Sequence, residues 1–123
     1  MNRRPLSITI IGWLFIVFGI AGLVWGLLPT LEAAAAGRPI EFRVAEEGIA
    51  SLSRILAVVG GVGLFFRFNW ARWLLVVWMV FHVWVAAVHS LSELVMHVVV
   101  FTTVIVFLFR PQVAGYFLTP KEP

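Results

Sequence analysis

Residues 70–109 read WARWLLVVWMVFHVWVAAVHSLSELVMHVVVFTTVIVFLF, two apolar runs divided by Ser90-Leu91-Ser92-Glu93. Each run is roughly 19–20 residues long, which at about 1.5 Å per helical residue crosses a hydrocarbon core of roughly 30 Å. Ser90 is placed to cap the second run, and Glu93 follows at the spacing of a capping box. The two runs therefore read as a tight antiparallel helical hairpin. Strict apolar–polar alternation, which a membrane barrel needs, is absent, and only helices otherwise satisfy every backbone group inside lipid.

Working outward, two more spans precede this hairpin. The expected helices cover 6–28, 48–66, 70–89 and 91–109, with a loop over 29–47 and a short Arg67-Phe68-Asn69 connection before the third. Pro5 suits a helix start, because its missing N–H would be unpaired there anyway. Pro29 and Thr30 are expected to end the first span, and Pro111 to close the fourth just after Arg110. The loop is too short for its own core, and its Ile40, Phe42 and Val44 suggest a segment lying on the membrane or the bundle. The expectation is a single all-α domain: a polytopic, monomeric bundle of four transmembrane helices.

Composition agrees. The chain has 123 residues, 62% hydrophobic and 12% charged, with mean hydropathy +1.03. A soluble domain of that length needs far more polar surface. There is no cysteine, so disulfides, thiolate metal sites and cysteine nucleophiles are excluded. The net charge of +3 does not point to nucleic acid, because the basic residues flank apolar spans. Arg3, Arg4, Arg67, Arg72, Arg110 and Lys121 fall on one side of a four-span chain. Arg38 and Arg43 fall on the other, among Glu32, Glu41, Glu46 and Glu47. The positive-inside rule makes the first side cytoplasmic, with both termini inside and Trp70, Trp73 and Tyr116 at that interface. The N-terminal run and Ala33-Ala34-Ala35-Ala36-Gly37 imitate a signal peptide, but the run is longer than a signal core of roughly 7–15 residues, so an uncleaved span is expected.

Inside lipid, helices associate through small residues. Gly12, Gly19 and Gly26 recur every seven residues in the first span, with Gly22 beside them; Ser53, Ala57 and Gly61 form a second stripe. Internal packing is the expected use of both.

Ionisable groups within spans are costly and draw functional attention. Arg54, His82, His89, Glu93 and His97 all fall toward the loop side. His82 and His97 each lie about seven residues from the Ser90 turn, roughly 10 Å below that surface, at matched depth on neighbouring helices. Glu93 and His97 share a helix face, as do His82 and His89. A histidine pair suits haem or a transition metal, and histidines with Arg54 suit proton relay or anion binding. A purely structural network is the third reading, with Glu93 pairing to Arg54 or His89. The six tryptophans are scattered and read as anchors and packing.

Arg4-Pro5-Leu6-Ser7-Ile8-Thr9-Ile10, Asn69-Trp70-Ala71-Arg72-Trp73-Leu74, Phe81-His82-Val83, His89-Ser90, Glu93-Leu94, His97 and Leu108-Phe109-Arg110-Pro111 with Tyr116-Phe117 together resemble small bacterial four-helix inner-membrane proteins with no assigned activity. The resemblance implies a bacterial inner membrane and no chemistry. Small multidrug transporters carry a carboxylate in the first span, which is absent here, and small dual-topology fluoride channels lack so consistent a basic bias.

The functional expectation is a non-enzymatic accessory or structural subunit of a membrane complex, without a cofactor, whose partners are the lipid bilayer and other membrane proteins or a second copy. A haem- or metal-binding subunit using His82 and His97 is the alternative, and a small oligomeric transporter or channel a further one.

Overall fold

The computed structural model describes residues 3–39 and 41–119, with the side chains of 41–45 outside that description. Lys121, Ile40 and the side chains of Glu41, Phe42, Arg43 and Val44 thus lie outside the described residues. The described residues form five helices: α1 Leu6–Ala35, α2 Glu41–Phe65, α3 Asn69–His89, α4 Leu91–Leu108 and α5 Pro111–Leu118. The first four are long and apolar enough to cross a membrane.

Two boundaries differ from the sequence expectation. Helix α1 does not stop at Pro29 but runs through it to Ala35. The strong helix formers that follow, Leu31, Glu32 and Ala33 to Ala35, carry the helix past the missing hydrogen bond. It ends instead at Gly37, with φ +66. There Arg38 N donates to Ala33 O and Gly37 N to Ala34 O, a Schellman closure that needs a left-handed residue. The expected loop over 29–47 is therefore mostly helix, added to the ends of α1 and α2. Second, Pro111 does not merely close α4; it opens α5 as its first helical residue, the place where proline is tolerated.

Successive helices are antiparallel neighbours. Between α1 and α2 the backbones approach closely: a Cβ at Gly61 would come within 2.7 Å of Gly12 O, and one at Gly19 within 2.9 Å of Arg54 O. Gly60 receives Leu75 of α3 in the same way, at 2.5 Å from a Cβ. Helix α4 packs chiefly on α3 and barely touches α1. Only 11% of its span is buried, against 28–33% of the others. The bundle is thus an open array with a seam between α1 and α4.

The core concentrates at the end that holds the N-terminus and α5, here the basic end. Ile8, Leu64, Leu75 and Leu108 are fully buried there. Helix α5 inserts Val113, Tyr116 and Phe117 into this cluster at helical spacing. Two arginines, read from sequence as topology signals, fasten it. Arg67 donates from Nε to Tyr116 O at 2.8 Å and from Nη2 to Thr119 O at 3.0 Å, capping the α5 C-terminus. Arg72 is only 5% exposed. Its guanidinium lies 4.3 Å from the Phe109 ring centroid and 5.1 Å from that of Phe117, and Nη1 donates to Asn69 Oδ1 at 3.0 Å. Aromatic faces replace a carboxylate as the partner of this cation.

Candidate functional site

The opposite end, which holds the Ser90 turn, is here the hairpin end. Ser90 caps α4 by accepting from Glu93 N at 3.3 Å. That turn fixes the register of α3 against α4, so the rings of His82 and His97 come together with centroids 6.5 Å apart and planes 19° from parallel. Both residues are half-buried.

Each imidazole is held by its own helix. His82 Nδ1 lies 2.9 Å from Trp78 O, and His97 Nδ1 lies 2.8 Å from Glu93 O. A carbonyl only accepts, so in the neutral ring Nδ1 carries the proton and Nε2 keeps a lone pair. The same arrangement orients histidines that ligate metals or accept hydrogen bonds. His82 is further fixed by the Trp78 indole, stacked at 3.7 Å between centroids. Trp78 is in turn anchored by donation from Nε1 to Ser53 O at 2.7 Å and Oγ at 3.0 Å. Ser53 thus positions Trp78, and Trp78 positions His82.

Arg54 does not pair with Glu93, one of the two pairings the structural-network reading allowed for that carboxylate. It donates from Nη1 to Glu47 Oε2 at 2.9 Å, and both side chains are part-exposed. The reason is the stripe on α1. A Cβ at Gly22 would lie 3.2 Å from Arg54 Cδ, and one at Gly26 would collide with Arg54 Nη1 and reach Glu47 Oε2 at 2.8 Å. Gly22 and Gly26, expected to serve internal packing, meet α2 through these side chains, forming a trough for the Arg54–Glu47 pair. Glu47 sits one turn pair before Arg54 on α2, a spacing that marks a shared face.

His82, His97 and Arg54 line one cavity of about 490 Å³ between α1, α2, α3 and α4, together with Phe15, Trp78, Met79 and Met96. Its volume and largely apolar lining with a few polar groups match small-molecule sites of roughly 300–1,000 Å³. His89 and Glu93 are exposed at the turn and do not line it; His89 Nδ1 is 3.0 Å from Val85 O. Among the described residues no group of three or more His, Cys, Asp or Glu gathers in metal-binding geometry. The cavity wall therefore offers two imidazoles, half the ligand set of a closed tetrahedral ion site.

Trp78, Glu47 and Met96 escaped sequence reasoning. The i, i+4 spacing of Trp78 and His82 was the available signal for the first. The fold and cavity define an open bundle of membrane-compatible apolar helices with a largely apolar pocket, edged by two imidazoles and a guanidinium, at one end. No family model, curated protein or solved structure matches the chain.

Proposed function

We propose that the protein is a bacterial inner-membrane protein with both termini in the cytoplasm, a non-enzymatic subunit that holds a lipid-soluble small molecule between His82 and His97. One observation carries this: two half-buried imidazoles, each with Nδ1 committed to its own backbone, line the same cavity. Their Nε2 atoms suit a ligand that offers a hydroxyl or N–H donor, or would serve as the protein ligands of a haem iron. Arg54 stands on the same wall as the donor for a ligand oxygen. The gathering of Arg4, Arg67, Arg72 and Arg110 at the basic end supports the cytoplasmic assignment of that end.

The test is purification in lipid nanodiscs, followed by a visible spectrum and by mass spectrometry of an organic extract. A haem band or a stoichiometric small molecule present in wild type and lost in His82→Ala and His97→Ala is expected. Folded wild type that is colourless and free of any co-purifying small molecule overturns the reading.

A second reading, an accessory subunit that docks against a larger membrane protein, is favoured by the exposure of α4. Cysteine cross-linking from Val95 or Val99, both exposed, to a co-purifying membrane protein tests it. Cross-links to lipid alone reject it.

A further inference from the structure

The seam between α1 and α4 holds a second cavity, at the basic end, of about 670 Å³. Its walls are Ile10 and Leu14 from α1 and Val100, Val104 and Phe107 from α4; its mouth carries Ser7, Arg110 and Gln112. Along α4 it runs from Val99 to Arg110, about 16 Å at 1.5 Å per residue. That is half of a hydrocarbon core of roughly 30 Å, the depth of one leaflet. It stops where Leu14 and Val100 also border the histidine cavity.

The mouth is cationic. The Arg110 guanidinium is held 4.2 Å over the Phe107 ring, directly above the apolar wall. Among the described residues the one ion pair is Arg54–Glu47, so no described carboxylate pairs with Arg110. An apolar slot of single-leaflet length, headed by an exposed arginine that no described carboxylate pairs, matches the shape of one lipid chain with an anionic head. Arginine binds phosphate oxygens in a planar fork, and hydroxyl and amide groups such as Ser7 and Gln112 add neutral donors.

We propose that this groove is a binding site for one anionic phospholipid of the basic-end leaflet, its acyl chain between α1 and α4 and its phosphate at Arg110. The proposal rests on membrane placement of the helices and not on the histidine cavity.

The experiment uses the full chain in phosphatidylcholine nanodiscs with trace spin-labelled phosphatidylglycerol or phosphatidylcholine, reading the immobilised fraction. Wild type is expected to immobilise phosphatidylglycerol about fivefold in preference to phosphatidylcholine, the ratio of one basic contact near a charged lipid surface. Arg110→Gln should abolish the preference and Arg38→Gln should leave it. Ser7→Phe and, separately, Thr103→Trp should fill the slot and lower immobilisation of both lipids, with circular dichroism confirming the helices. Equal immobilisation of both lipids by wild type overturns the proposal. So does an unchanged preference in Arg110→Gln, an unchanged fraction in both filled variants, or cross-linking that finds a second copy of the chain seated in the seam.

Discussion

The two ends of this bundle treat their charged residues in opposite ways. At the basic end, Arg67 donates to the backbone carbonyls of Tyr116 and Thr119, and Arg72 donates to Asn69 and faces the rings of Phe109 and Phe117, its Nε enclosed without a hydrogen-bond partner; the fully buried core lies around them. At the hairpin end the histidines use one nitrogen each for their own helix and direct the rest of the ring into open volume. The difference teaches that a polar group inside an apolar bundle serves structure when all its bonds are internal. It becomes available for binding when an unused atom borders open volume.

The comparison breaks most readily at Phe117. Phe117→Ala removes a buried aromatic that also faces Arg72, and is expected to cost about 3–5 kcal/mol. Denaturation in detergent micelles and limited proteolysis at α5 measure it; a loss below about 1 kcal/mol would mean that α5 is not clamped. Next in size, Gly26→Val pushes a side chain into the space of the Arg54–Glu47 pair. It should destabilise by about 1–3 kcal/mol, whereas Gly48→Ala, open to solvent on α2, should be near neutral. Equal effects at the two glycines would remove the trough.

Arg67 sharpens the comparison further, because it is the described non-glycine residue with positive φ, at 62. It closes α2 as glycine closes α1, through Phe68 N to Gly63 O and Arg67 N to Leu64 O. Arginine accepts this strain because only a long donor reaches the α5 carbonyls. Arg67→Ala keeps the strain and loses the clamp, while Arg67→Gly loses both. The alanine variant should therefore be less stable than the glycine variant by about 1 kcal/mol, a ranking that paired melting curves check. The smallest stability change is expected at His82→Phe, which retains a flat ring against Trp78. Its effect should appear in binding alone, as loss of the small molecule extracted from wild type. A stability loss as large as that of Phe117→Ala would make His82 a structural residue.

Much of the architecture was legible beforehand, and the misses share causes. Helix α5 was hidden because Pro111 reads equally as a stop and as a start, and only the Val113, Tyr116 and Phe117 stripe separates the two. The extension of α1 was hidden because proline is a helix breaker in the average context, while Ala33, 4% exposed, packs the continued turn. Arg54 was matched in sequence with Glu93, and only the seating of α2 against Gly22 and Gly26 brings it to Glu47.

The sequence by itself determined four apolar helices, their antiparallel order and the matched depth of His82 and His97. Length, hydropathy and the Ser90 turn act through rise per residue and backbone hydrogen bonding, which are local. Tertiary structure alone decided which way each helix faces, and so which rings meet, which arginine is buried and where the α1–α4 seam opens. Helices apolar on every side carry little record of their own rotation. Their facing is set by where glycine backbones and aromatic rings fit together, and that is a property of pairs of helices.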